Sequence, residues 1–317
     1  MKQKFLSALI ILFLIAVIIA QCVSIKNIEA DKSEAPEIEE TQQVDATMTP
    51  SATNQPETTT QPTTQTTTQP VTENKSVETT QVVTTEAAEK ESNMPESTKE
   101  IIDQYTLLVD KFKQQKPAYK KKEYQALPVE YHNFSSVINK ALDVAAGYMT
   151  TEEEAEELIR EAGSEEIIND MPIHGSEKGC ALTDYDAVSW AKCEDKGDGT
   201  YEISFSLKEE VNPEPTPADT LVPVSAHGAV MQPMAFNDIK AEVDGLLSKV
   251  PGLALNQLDL YYRDHEYRCV YNPETDEVLS ITHYIVIDIV VNADVFGKTI
   301  DGSARLLNDM FIYDITW

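Results

Sequence analysis

The sequence predicts an α+β fold: N-terminal helices followed by a long, curved antiparallel β-meander packed on an amphipathic helix, all within residues 97–317. Three observations predict it. Apolar residues recur at helical spacing after a capping signature at Ser97. Two strand-like segments, the second cleanly alternating, flank the turn signal Asp195-Lys-Gly-Asp-Gly199. From Gln257 onward, β-branched and aromatic residues dominate between turn signals. Periods of 3.6 and 2 are the signatures of helix and strand, and each segment shows one of them.

Ser97-Thr-Lys-Glu100 is a capping box, and Ile101, Ile102, Tyr105, Leu108, Val109 and Phe112 follow on one helical face. Lys113, Lys116 and Lys120 to Lys122 form a basic cluster behind them. It suits the negative end of the helix dipole, and is also placed to touch anionic wall polymers. A second helix is expected over Ser136–Tyr148, with Val137, Ile138, Ala141, Leu142 and Ala145 on one face. Thr151-Glu-Glu-Glu154 opens a third, ended by Gly163. Its acidic run, Glu152 to Glu157, reads as solvated first turns rather than a cation site.

Strands follow at Ala187–Glu194 and Thr200–Lys208. The second places Tyr201, Ile203, Phe205 and Leu207 inward and Glu202, Ser204 and Ser206 outward. The turn between them lacks the spaced ligands and distal glutamate of a calcium loop. A Pro-rich loop, Asn212–Pro223, leads to a helix over Asn237–Val250 carrying Ile239, Val243, Leu246, Leu247 and Val250. The meander is then Gln257–Arg263, Glu266–Tyr271, Glu277–Asn292, Asp294–Leu306 and Asp309–Trp317. Its third strand exceeds the common length of roughly 3–10 residues, so it must bend, twist or change partners midway.

The N-terminus sets an address. Lys2 and Lys4 precede an apolar run, Phe5 to Ala20, that continues through Cys22, Val23 and Ile25. Basic residues before such a run orient it with the N-terminus inside. About 20 residues at ~1.5 Å each span a ~30 Å hydrocarbon core. Residues 1–25 are therefore expected to be a retained anchor, contacting the membrane through residues 5–25, with the C-terminal domain extracellular. Cleavage near Ala20 and lipidation at Cys22 are the alternatives; Gln21 departs from a lipobox. Residues 26–96, rich in Thr, Gln, Pro and Glu, have too little apolar surface to offset the cost of ordering a backbone, and read as a disordered stalk. The final Tyr313-Asp-Ile-Thr-Trp317 reads as a strand, which leaves attachment to the N-terminal end.

This tether and stalk resemble those of a broad set of uncharacterised Gram-positive surface proteins. So do Gly197-Asp-Gly-Thr-Tyr-Glu-Ile-Ser-Phe205 with the following Asn212-Pro213, and Asn272-Pro-Glu-Thr-Asp276 before a long β-branched strand. The resemblance implies a surface-held domain and supplies no activity, cofactor or catalytic residue.

Chemistry is constrained more by what is missing. Asp and Glu outnumber Lys and Arg by 54 to 25, for a formal charge of −29, which argues against a nucleic-acid partner. With Cys22 in the apolar run, Cys180, Cys193 and Cys269 remain, an odd number. A Cys180–Cys193 bridge is one reading; three small buried hydrophobes is the favoured one. His174-Gly175 ahead of Gly179-Cys180 is similar to cysteine transpeptidases, but the serine and arginine of their Ser-x-Gly-Cys-x-Arg are missing. His265 and Cys269 on one strand are ~13 Å apart, too far to share a zinc ion bound at ~2.0–2.3 Å. His283, set among isoleucines, reads as a hydrogen-bonded core residue. No catalytic, cofactor-binding or metal-binding residue is assigned, and no cofactor is expected. The expected function is a non-catalytic extracellular binding module for a lipid-like or cell-wall ligand. Its groove candidates are Leu246, Leu247, Tyr284, Val286 and Val290. The alternatives are a structural or interaction protein without a cavity, and a wall-modifying cysteine enzyme using Cys180.

Overall fold

The computed structural model describes residues 94–133, 139, 146, 149, 151–249, 251–295 and 297–317. The expected anchor and the expected stalk up to Asn93 lie outside the described residues, as does the expected helix 136–148 apart from Asn139 and Ala146. Among the described residues, no helix is long and apolar enough to cross a membrane.

The first helix, α1, spans Thr98–Gln115 and begins as its capping box dictates. Ser97 Oγ accepts from the Glu100 amide at 3.2 Å, and Glu100 Oε2 accepts from the Ser97 amide at 3.0 Å. Two of the four orphan amides of the helix start are thereby satisfied. Ile101, Ile102, Tyr105, Leu108, Val109 and Phe112 are all buried, each worth about 1.5–3 kcal/mol in apolar burial. The helix ends at Lys116, which is left-handed (φ 49°) and donates its amide to the Phe112 carbonyl.

Among the described residues, nine strands form one antiparallel sheet: β1 (Ala118–Ala126), β2 (Leu158–Arg160), β3 (Val188–Asp195), β4 (Tyr201–Leu207), β5 (Glu210–Val211), β6 (Leu253–Tyr262), β7 (Glu266–Asn272), β8 (Glu277–Val295) and β9 (Lys298–Thr316). The order is β2-β1-β9-β8-β7-β4-β3, with β6 also on β8 and β5 on β6. A short helix, α2 (Ile167–Asp170), follows β2, and α3 (Phe236–Leu247) precedes β6. The chain is thus α+β, with far more antiparallel sheet than helix.

Strand β8 organises the sheet. One edge pairs with β9 from Ile281↔Ile312 to Val295↔Lys298. The other edge is shared: Glu277 to Tyr284 face β7, and Ile287 to Val295 face β6. Strands β6 and β7 are therefore one line of chain, interrupted at Arg263–His265, where Asp264 adopts φ 54°. The expected change of partner is how the long strand is accommodated. Beside the handover sits Asp288, only 6% exposed on β8. Arg305, its cross-strand partner on β9, donates from Nε at 2.7 Å and from Nη2 at 2.8 Å. Arg263 donates from Nε at 2.6 Å and again from Nη2. Burial pushes the Asp288 carboxyl up, but the two guanidiniums outweigh it and hold the carboxyl below its ordinary value.

Several expectations are corrected. The segment expected as a third helix has turns at Glu152–Glu154 and then β2, because Leu158 and Arg160 find cross-strand partners on β1. Lys120 to Lys122 lie within β1, alternating across it, rather than trailing α1. Asp294–Leu306 and Asp309–Trp317 are not two strands: Lys298–Thr316 is continuous, since β8 offers it an unbroken edge. The five-strand meander is reduced to β7–β8–β9, with β4 and β1 joining from elsewhere. Ser204 and Ser206 are buried rather than outward-exposed; Lys192 and Arg268 oppose the first across the sheet, and Trp190 the second, and these long side chains shield the small ones. Cys180, Cys193 and Cys269 are all free, so Cys180 and Cys193 form no bridge.

Asp288→Asn is expected to lower the unfolding free energy by about 2–4 kcal/mol, because it leaves two guanidiniums facing a neutral group beside the handover. Urea denaturation checks this. Asp301→Asn on the exposed part of β9 should change it by less than about 0.5 kcal/mol.

Candidate functional site

Residues of alternate parity on β8 face opposite sides of the sheet. His283, Ile285 and Ile287 share the face on which α1 packs, since Tyr105 of that helix reaches His283. On β9 the same face carries Asn308 and Met310, and on β1 it carries Lys121, Glu123 and Gln125, as the pairings Tyr119↔Arg160, Glu123↔Met310 and Gln125↔Asn308 require. These side chains form the floor of a cavity of ≈480 Å³. Its walls are two non-strand segments: Asn169 to His174, the end of α2 and the turn after it, and Met231 to Met234, preceding α3. That volume falls in the ~300–1,000 Å³ range of small-molecule sites.

The cavity is mixed in chemistry. Ile285, Ile287, Met231, Met234, Met310 and Tyr262 contribute apolar surface, all buried. Tyr262 is fixed by the Met234 amide, which donates to its hydroxyl at 3.0 Å. Lys121, Glu123, Gln125, Asn308, Gln232 and His174 contribute polar groups. His174 and Asn169 are exposed and mark the mouth.

Two buried lysines hold the first wall. Lys113, with no exposed surface, points its ammonium into the turn after α2 and donates to the carbonyls of Ile173 (2.9 Å), Pro172 and Lys178 (each 3.1 Å), Met171 (3.2 Å) and Ile168 (3.5 Å). Burial lowers its pKa and the Asp110 carboxylate opposes this; carbonyl oxygens can only accept, so they too favour the charged form. Lys121 donates to the Asp170 carbonyl at 2.6 Å and lies 3.3 Å from Glu123. The Asp170 carboxylate in turn accepts from Arg160 at 2.6 Å and Tyr119 at 2.9 Å. Gly179 lets this segment approach α1, because a Cβ there would lie 2.8 Å from Val109 Cβ. Its amide donates to Asp110 at 2.8 Å.

The expected basic cluster is thereby reassigned. Lys113 and Lys121 turn inward, Lys116 pairs with Glu165 at 2.6 Å, and Lys120 lies between Glu157 and Asp314 at 3.2 and 3.1 Å. Four of the five lysines bind the domain to itself.

His283 shares a 2.9 Å hydrogen bond with the Tyr105 hydroxyl, as a core histidine should. Burial, and secondarily the Lys121 charge, push its pKa down to about 3. His265 is likewise depressed to about 3 by burial and then His227. Partial desolvation at the cavity mouth, then Lys121 and Lys113, take His174 to about 4. Cys180 is 3% exposed and burial raises its thiol to about 11, so it carries no thiolate at neutral pH. That is the wrong state for a nucleophile.

Of the groove residues expected from sequence, Tyr284, Val286 and Val290 are half-buried on the opposite face of β8, and Tyr284 packs beneath the Arg268 guanidinium at 5.3 Å. Leu247 is half-buried against the core on α3. None of these four lines the cavity, and the Leu246 side chain lies outside the described residues. The residues that do line it were passed over because the odd-numbered face of β8 reads as plain core. A signal was present in β1: Lys121, Glu123 and Gln125 are polar at alternate positions, and Tyr119 on the same face is buried. Polar residues on a buried face mark either a network or a site.

Comparison with protein-family models, with curated proteins and with solved structures finds no match for this chain.

Two outcomes are expected. Lys113→Met, similar in length but without donors, should cost at least about 3 kcal/mol in urea denaturation, since the carbonyls it caps lose their partner. Stability should also fall as the pH drops from 6.5 to 5. The folded state keeps His265, His283 and His174 neutral while the unfolded chain protonates them near 6.5, so the unfolded state binds more protons. Melting temperatures across that range check the sign; a flat profile contradicts it.

Proposed function

We propose that the chain is a membrane-tethered extracellular binding protein without catalytic activity, and that the cavity beneath β8, β9 and β1 receives an amphiphilic small molecule. The carrying observation is the mixed lining: buried Ile285, Ile287 and Met234 together with Lys121, Gln125 and Asn308. A hollow of that composition suits a ligand with an apolar body and a hydrogen-bonding end. In this reading the sheet curves round the ligand, and residues 1–25 and 26–96 hold the domain at the cell surface as anchor and stalk. Wall components and membrane-derived lipids are the ligands within its reach. The buried, protonated Cys180 favours this reading over a cysteine enzyme.

The test compares the full chain with Met234→Trp, whose indole would fill the cavity from its wall while keeping the backbone amide that Tyr262 uses. Organic extracts of the two proteins, purified identically and analysed by mass spectrometry, should differ by a compound bound only to the parent. The same compound, added back, should raise the melting temperature of the parent alone. Identical extracts and no such shift would sink the proposal.

A further inference from the structure

Within the proposed binding reading, on which this inference rests, we infer that the cavity selects an uncharged head group presenting a hydrogen-bond donor and an acceptor together, such as a carboxamide, over a carboxylate or an ammonium. The first ground is the pair Gln125 and Asn308. They face each other across β1 and β9, and Gln125 Nε2 donates to Asn308 Oδ1 at 2.9 Å. One hydrogen bond uses one donor and one acceptor. Each side-chain amide has a carbonyl and an amino group, so the pair retains an amino group on one residue and a carbonyl on the other. Reversing both amides exchanges which residue offers which, and still leaves one of each. Both residues line the cavity, so its floor presents a donor beside an acceptor. A carboxamide complements that arrangement. A carboxylate has only acceptors and would meet the free carbonyl; an ammonium has only donors and would meet the free amino group.

The second ground is charge. The two carboxylates in the lining are each matched: Glu123 by Lys121 at 3.3 Å and Asp170 by Arg160 at 2.6 Å. His174 and His283, depressed to about 4 and about 3, are neutral at pH 7. Lys121 is further occupied by the Asp170 carbonyl. An ionic ligand would have to break one of these pairs or enter without a counter-charge, and burying an unpaired charge is costly. At the mouth, Gln232 and Asn169 repeat the amide chemistry, and Gln232 Oε1 accepts from the His174 amide at 3.4 Å.

The experiment uses the full chain in lipid nanodiscs and three probes of one chain length: octanamide, octanoate and octylammonium. Binding is read by calorimetry at pH 7 against empty nanodiscs. Octanamide is expected to bind at least tenfold more tightly than either ion. The double variant Gln125→Leu/Asn308→Leu, with its melting curve measured alongside, should lose that preference. Gln125→Glu should instead raise octylammonium relative to octanamide. If all three probes bind the parent equally, head-group selection is wrong while the binding reading stands. If none binds, both are overturned.

Discussion

The described domain depends on one strand being paired along nearly its whole length on both edges. Strand β8 gives one edge to β9 and divides the other between β7 and β6, so each flanking strand is placed by reference to it. The division creates a break, because β6 and β7 follow one line and the chain between them leaves it at Arg263–His265. Such a break would ordinarily be a weak point. Here a buried carboxylate with a guanidinium from each side closes it, and Arg263, which belongs to the break itself, supplies half of the closure. A buried charge with both partners hydrogen-bonded is tolerable; with one removed it is not.

The cavity follows from the same geometry. Four strands, β2, β1, β9 and β8, extend the sheet beyond β7, while α1 bridges from its contact with Phe205 on β4 to Tyr119 on β1. The inner surface left over is covered by irregular segments rather than by another helix. Irregular backbone packs less evenly than a helix face and has its own carbonyls to satisfy. In this chain those carbonyls go to lysine ammoniums, and the hollow remains beneath them.

Much of this was legible in the residues. The Ser97 capping box and the spacing from Ile101 to Phe112 yield α1 directly, and the Gly-rich turn yields the β3–β4 hairpin. The excess length of β8 required a bend, a twist or a change of partner, and a change of partner occurs. What failed did so for identifiable reasons. The glutamates before Leu158 mimic a helix start, and only pairing with β1, distant in sequence, makes that segment a strand. Asn308 looks like a break between two strands, yet a continuous neighbouring edge carries β9 through it. Of the expected groove residues, Tyr284, Val286 and Val290 lie on the mixed face of a strand that is apolar on both sides, and Leu246 and Leu247 on the amphipathic helix expected beside it. The actual hollow lies on the other face, apolar there apart from His283, and most of its polar character comes from β1 and β9. No single strand reveals that combination.

Lys113 offers three protons to five carbonyl oxygens at 2.9–3.5 Å. An ammonium on a four-carbon stem has no fixed plane and can redistribute its hydrogen bonds by rotating about its last bond, unlike the rigid fork of an arginine. The turn it grips is thus moored to α1 at a swivel, secure in attachment and loose in orientation. Small displacements of that turn exchange one carbonyl for another instead of stranding any. In the proposed binding reading, a boundary suspended in this way follows the contour of differently sized guests while the sheet beneath them stays still.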